Sequence, residues 1–142
     1  EEKNEIYVRS LSSLSEADVL SGANEFIDYL KSKGIKTAVG SASKNTPLIL
    51  EKTKLAGKFD AVSCGLDTTK SKPDPEVFLI AAKKLGVAPC DCVVVEDSDA
   101  GIEAAKTGGM YAIAVGAAEY NPKADVAIKD LESLYRALTI FA

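Results

Sequence analysis

The chain has 142 residues, of which 46% are hydrophobic and 27% charged, and its formal net charge is -4 at pH 7. This size fits one globular domain with a real hydrophobic core. The acidic balance, without a long basic run, argues against nucleic-acid binding and against an anionic membrane surface. The sequence contains no histidine, which excludes Ser-His-Asp and Cys-His nucleophiles and histidine-ligated metals. Any chemistry must therefore use carboxylates, lysine, hydroxyls or the backbone.

Location and redox state follow from two further features. The longest apolar runs are only a few residues, too short for a transmembrane helix, and the opening EEKNEIYVRS lacks the basic and apolar regions of a signal peptide. We therefore expect a cytoplasmic protein. Cys64, Cys90 and Cys92 are odd in number and lack C-x-x-C spacing, so we expect reduced thiols rather than disulfides or a zinc site.

Helical periodicity alternates with short β-branched runs along the chain, which predicts an α/β fold. The predicted helices cover residues 1–11, 23–34, 44–57, 75–86, 100–109 and 131–141. The predicted strands cover residues 35–43, 59–65, 92–97, 110–116 and 124–130. Strands that read as continuous apolar runs are typical of a parallel sheet buried on both faces. Because ligands of such sheets bind at the carboxyl ends of the strands, the functional residues should lie there.

The first strand end that carries chemistry is the sequence VGSASKN. It places Ser41, Ser43, Lys44 and Asn45 where a strand becomes a helix, so hydroxyls and backbone N–H groups can face an anion. This pattern indicates a phosphate cradle. An ordinary serine-rich turn with a capped helix is the alternative, because Ser and Asn are favoured at caps for structural reasons.

Two further strand ends carry charge. Lys72 precedes Pro73, which favours an extended lysine backbone and could aim the ammonium inward, although a solvated lysine is the structural alternative. Glu96 and Asp97 follow an apolar run and supply the hard oxygen ligands that Mg2+ prefers. The alternative there is a solvated helix start with Asp99 as the cap.

The order of these motifs resembles a known superfamily. A strand-end Ser, a Lys before Pro and a strand-end Glu-Asp, each followed by a helix, are similar to motifs two, three and four of the haloacid dehalogenase superfamily. Within it, GSASKN, SKPDPEVF and VVVEDSDAGIEAAKTGGM resemble the beta-phosphoglucomutase subgroup and its sugar-phosphatase relatives. The resemblance spans nearly the whole chain and implies a three-layer, Rossmann-like core with a parallel sheet.

The resemblance also implies roles for individual residues. Ser41 would donate a hydrogen bond to the transferring phosphoryl group, and Lys72 would neutralise its charge. Glu96 and Asp97 would hold Mg2+. The residues that would line the phosphate and sugar side are Ala42, Ser43, Lys44 and Asn45. The expected partner is a phosphorylated sugar.

One family motif has no counterpart in this sequence. The family's nucleophile is the first Asp of D-x-D-G at the end of the first strand, and no such motif precedes Ser41. The only D-x-D here, Asp97 to Asp99, follows the other motifs and runs into a helix, so we interpret it as incidental. We therefore expect the central first strand to be missing, with residues 1–14 a remnant of the last cap helix and 15–142 the core. The unpaired inner edges of the neighbouring strands would favour self-association.

Three functions stay open at this point. The first is a beta-phosphoglucomutase-like enzyme that converts glucose 1-phosphate to glucose 6-phosphate through an aspartyl-phosphate, with the present chain an inactive fragment of it. The second is a sugar-phosphate phosphatase of the same superfamily. The third is a non-catalytic phosphate-binding or assembly module. A two-component receiver domain is more distant, since its acidic pocket, Ser/Thr and Lys come in a different chain order.

Overall fold

The computed structural model describes residues 6–9, 23–41, 44–52 and 57–129. Over these residues helices and strands alternate, as the sequence predicts. In chain order they are β1 Ile6–Arg9, α1 Ala23–Ser32, β2 Lys36–Gly40, α2 Thr46–Lys52, β3 Ala61–Ser63, α3 Glu76–Leu85, β4 Cys92–Glu96, α4 Asp99–Thr107, β5 Tyr111–Val115 and β6 Val126–Ile128. Short 3-10 turns occupy Pro89–Asp91 and Gly116–Ala118.

The strands form one parallel sheet in the order β3-β2-β1-β4-β5-β6. The strand order changes direction around β1, with β2 on one side and β4 on the other. Such a switch point opens a crevice at the carboxyl ends of the strands. The predicted α/β fold with a parallel sheet is confirmed.

Helices cover both faces of this sheet and make three layers. Phe78 of α3 and Ile102 of α4 are fully buried against one face, in a cluster that includes Val94 of β4. Phe26 of α1 packs on the opposite face with Val95, also of β4. Alternate β4 residues therefore point to opposite helical layers, as the period-2 geometry of a strand requires.

The opening of the chain differs from the prediction. Residues 6–9 are a strand, not a helix, and they fill the central position that we expected to be empty. Val8 is in register with Ala38 of β2 and with Val94 of β4. The physical reason is that Ile6, Tyr7 and Val8 are strand-forming residue types, and a short apolar run cannot be assigned to helix or strand by periodicity.

Filling this position has two consequences. The inner edges of β2 and β4 are paired with β1, which removes the physical reason for expecting self-association there. The sequence of β1, IYVR, nevertheless contains no carboxylate, so the expected lack of a strand-end nucleophile holds for these four residues. The division of the chain at residue 14 stays a prediction.

Most other predicted elements coincide with observed ones to within a few residues at each end. Gly34 and Gly86, the predicted helix stops of α1 and α3, both have a left-handed backbone with φ of 74°. The predicted final helix, 131–141, lies outside the described residues. Within the described ranges, no helix is long and apolar enough to cross a membrane.

Candidate active site

Ser41 directly follows β2 and lies fully buried at the carboxyl edge of the sheet. Its backbone N–H donates to the Ser63 carbonyl at 2.9 Å, which extends the pairing of β2 with β3. The Ser63 hydroxyl in turn donates to the Val77 carbonyl at 2.7 Å and ties this edge to α3. Lys44 and Asn45 are exposed in the turn before α2, whereas Ala42 and Ser43 lie outside the described residues.

Lys72 points inward and forms a buried ion pair with Glu96. The Lys72 Nζ lies 2.9 Å from Glu96 Oε2, and the two side chains are 6% and 0% exposed. The ammonium also lies over the Phe78 ring, 5.0 Å from its centroid, which is a cation–π distance. The solvated-lysine alternative is therefore wrong, and two of the predicted site residues are in direct contact.

The loop that carries Lys72 is anchored to the start of α3. The backbone N–H groups of Thr69 and Lys70 donate to Glu76 Oε1 at 2.9 and 2.8 Å. These backbone donors are the main reason that the pKa of the Glu76 carboxyl is lowered. The Glu76 N–H donates to Asp74 Oδ1, and the Lys72–Pro73 peptide is cis. These hydrogen bonds anchor the loop on both sides of Lys72 to the start of α3.

The second oxygen of Glu96 is satisfied by the turn that follows β4. Glu96 Oε1 accepts from the backbone N–H of Asp97 at 3.0 Å, from that of Ser98 at 3.2 Å, and from the Ser98 hydroxyl at 3.1 Å. Burial raises the pKa of the Glu96 carboxyl, the Lys72 ammonium opposes this shift, and the Asp97 carboxylate adds to it. Four donors therefore hold a carboxylate that burial alone would disfavour.

The start of α4 differs from the prediction in one respect. Ser98, not Asp99, is the N-cap, and its hydroxyl accepts from the Gly101 N–H at 3.1 Å. Asp99 is the first helical residue and accepts instead from the Asn121 amide at 2.8 Å. Both Ser and Asp are good caps, and Ser98 takes the role because its backbone is extended. Sequence reasoning missed Ser98 as a hydrogen-bond partner of Glu96.

Glu96 and Asp97 form a donor pair with unequal exposure. Glu96 is buried and ion-paired, whereas Asp97 is exposed at the strand end. Among the residues that the structure describes, no three His, Cys, Asp or Glu side chains form a potential metal cluster. Mg2+ usually keeps several waters and binds through one or two carboxylates plus a substrate phosphate. The exposed Asp97 carboxylate therefore fits Mg2+, whereas both oxygens of the buried Glu96 carboxylate already accept hydrogen bonds within the protein.

A parallel sheet with a buried serine, a buried lysine and two neighbouring carboxylates at the carboxyl ends of its strands is typical of α/β proteins that bind ligands at this edge. Comparison with known families makes this assignment specific. The family model of haloacid dehalogenase-like hydrolases matches residues 2–109, and the chain belongs to this family.

Within the family, the beta-phosphoglucomutase-like subgroup predicted from the motifs is confirmed. The chain is 37% identical over 132 residues to the beta-phosphoglucomutase of Bacillus subtilis, an alignment of 93% of this chain and 58% of that protein. It is 35% identical to hexitol phosphatase B of Escherichia coli, over 91% of this chain and 62% of that protein. The crystal structure of a Clostridium difficile beta-phosphoglucomutase superposes with a TM-score of 0.77 at 30% identity, over 89% of this chain and 60% of that chain.

The chain thus spans about 60% of the length of these relatives. The matched part includes the strand ends of Ser41, Lys72 and Glu96, since the family model covers all three. Relatives at similar identity have both mutase and phosphatase names.

Proposed function

We propose that this chain is the phosphate-binding and cation-binding core of a sugar-phosphate phosphoryl transferase of the beta-phosphoglucomutase type. The observation that carries the proposal is the buried Lys72–Glu96 pair at the carboxyl edge of the sheet. Burying an ammonium and a carboxylate costs several kcal/mol of desolvation per ion, which the pair offsets only with good geometry. A buried ion pair is weak evidence for stability, whereas a role in chemistry explains its presence at a strand-end crevice.

Each residue has a role in this proposal. Ser41 donates to a phosphoryl oxygen, and Lys72 neutralises the charge that develops on that group. Lys44 and Asn45, exposed in the turn before α2, line the phosphate and sugar side, and the family resemblance gives the same role to Ala42 and Ser43, which lie outside the described residues. Asp97, with Glu96 beside it, holds Mg2+, which when bound supplies further charge neutralisation at the phosphoryl oxygens.

The family mechanism uses an attacking carboxylate at the end of the central strand. The described residues of this strand offer no such carboxylate. The four residues of β1 contain no Asp or Glu. Removing one member of a catalytic unit commonly costs several orders of magnitude in rate. We therefore propose that the 142-residue chain binds a phosphorylated sugar with Mg2+ but does not turn it over at an enzymatic rate.

Calorimetric titration with glucose 1-phosphate, with and without Mg2+, tests the binding, and a coupled assay for glucose 6-phosphate and free phosphate tests the turnover. We expect Mg2+-strengthened binding without turnover. Asp97→Asn should remove most of the Mg2+ effect, whereas Glu103→Gln, an exposed carboxylate on the outer part of α4, should leave it unchanged. No measurable binding would refute the proposal. Turnover by this chain would make Asp97 and Asp99 the candidate nucleophiles.

The second candidate is a sugar-phosphate phosphatase, favoured by the similarity to hexitol phosphatase B. The two reactions differ in whether a sugar hydroxyl or water receives the phosphoryl group. If the gene encodes a longer chain, the ratio of glucose 6-phosphate to free phosphate produced by that chain separates them. The non-catalytic binding module predicts the same binding and no turnover from any longer chain.

A further inference from the structure

Gly101, in the first turn of α4, lies directly against the Glu96 side chain. An ideal Cβ built on Gly101 would lie 2.1 Å from Glu96 Cδ and 2.2 Å from both Cγ and Oε2. Real Cβ atoms essentially never approach a heavy atom within 3.0 Å, so an added methyl group would force a displacement. Gly101 is helical and is not among the glycines with a positive φ. Glycine at this position therefore provides space for the Glu96 side chain, and is not needed for a left-handed backbone conformation.

Glu96 has little room to give way. Its side chain is fully buried, its Oε1 accepts three hydrogen bonds from Asp97 and Ser98, and its Oε2 accepts from Lys72. The atoms that a Gly101 methyl group would meet include Oε2, the oxygen bonded to Lys72. Any relief of the clash must therefore move the carboxylate relative to Lys72 or move the start of α4.

We propose that Gly101 is a positioning residue: the space it leaves lets Glu96 reach Lys72 and fixes the Lys72 ammonium for phosphate binding. This inference rests on the proposed function, because it takes Lys72 as the group that meets the phosphate. Gly101 itself touches neither ligand nor reacting atoms and acts through Glu96. The Phe78 ring bounds the ammonium on another side, so Lys72 is held between an aromatic face and the carboxylate.

The test combines one substitution with a matched control on the same helix. Gly101→Ala should lower the affinity for inorganic phosphate, measured by calorimetry in Mg2+, by about tenfold, which corresponds to about 1.4 kcal/mol. Gly108→Ala adds the same methyl group at the end of α4, where the nearest atoms, Ala104 O and Pro75 Cβ, are 3.3 Å away. That variant should change thermal stability modestly and leave phosphate affinity unchanged.

A second readout reports on the ion pair without any ligand. The buried Lys72 ammonium should give a slowly exchanging 15N–1H signal in the wild type, and Gly101→Ala should shift or abolish it. Glu96→Asp shortens the carboxylate by one methylene, so the double variant Gly101→Ala/Glu96→Asp should fold even if the single variant does not. We expect it to regain part of the phosphate affinity.

The outcomes separate this inference from the proposed function. If the wild type does not bind phosphate, the proposed function fails, and the Lys72 signal still decides whether Gly101 positions the pair. If Gly101→Ala folds with an unchanged Lys72 signal and unchanged phosphate affinity, the role of Gly101 is refuted. A rise in phosphate affinity would also overturn it, since Glu96 would then compete with phosphate for Lys72.

Discussion

Replacing Lys72 by Met removes the ammonium and keeps most of the side-chain length, which tests whether the buried pair is as tightly coupled as its geometry indicates. The Lys72 and Glu96 side chains are 6% and 0% exposed, so the remaining carboxylate would lose its counter-charge inside the protein. Breaking a buried pair in this way typically costs about 3–5 kcal/mol. Because Glu96 Oε1 keeps its donors from Asp97 and Ser98, we expect a loss near the lower end, about 3 kcal/mol at neutral pH.

The loss should depend on pH in a defined direction. Burial already raises the pKa of Glu96, and Lys72 is the main influence that opposes the rise, so Lys72→Met should raise this pKa further. A carboxyl group whose pKa is higher in the folded than in the unfolded state stabilises the fold at pH values below the unfolded-state pKa, about 4.3. This stabilisation is lost as the pH rises through the folded-state pKa. The variant should therefore approach the wild type near about pH 4 and fall furthest behind it above neutral pH.

Urea denaturation followed by circular dichroism at several pH values measures this difference. Lys123→Met is the matched control, because the Lys123–Glu103 pair is 3.7 Å apart with side chains 60% and 49% exposed. Exposed pairs are usually worth about 0–1 kcal/mol, so the control should stay close to the wild type at all pH values. Equal losses in the two variants, or a Lys72→Met loss that does not change with pH, would refute the tight coupling of Lys72 and Glu96.

Two further predictions concern groups outside the site. Cys90 is exposed, Cys64 is buried, and burial raises the pKa of Cys92 to about 11, so iodoacetamide at about pH 8 should modify one thiol in the folded protein and three in denaturant, as counted by mass spectrometry. Two modified thiols in the folded state would contradict the burial of Cys64 and Cys92. The Lys106 ammonium, 2.7 Å away, and the Ala112 N–H lower the pKa of Asp125. The stabilising contribution of the Asp125 carboxylate is present above about pH 4 and is lost as the pH falls through its lowered pKa. The free energy of unfolding of Asp125→Asn should therefore fall less steeply than that of the wild type as the pH decreases in the acid range, the acid limb of the stability–pH curve. An unchanged acid limb would show that this pair contributes no pH-dependent stability.

The strand ends of β2 and β4 were predictable because two local signals agree there. An apolar run that stops at a hydroxyl or a carboxylate marks both the end of a buried strand and the start of a polar crevice. Ser41 and Glu96 were found in this way. The sequence could not show that Glu96 would be paired with Lys72, because the two residues are 24 positions apart and meet only through the tertiary fold.

The central strand was missed for a different reason. The run IYVR is four residues long, and the flanking charged residues also suit a helix, so local propensity and periodicity gave no clear answer. Its place in the sheet depends on long-range pairing with β2 and β4, which begin some 30 and 86 positions later. The choice of Ser98 over Asp99 as the cap was also undetermined, since both types cap well and the backbone of Ser98 decides it.

The alternation of side chains between the two faces of the sheet decides which groups Glu96 can contact. Cys92 and Val94 of β4 pack with the layer of α3 and α4. Glu96 lies two residues beyond Val94, so its side chain points to the same face. That face brings it to Lys72, from the loop before α3, and to Gly101 of α4. A slip of one residue along β4 would instead turn the carboxylate toward Phe26, Leu30 and Val115, an apolar cluster that would leave its charge uncompensated. The alternation in CVVVE therefore both builds the core and places the buried carboxylate beside the lysine.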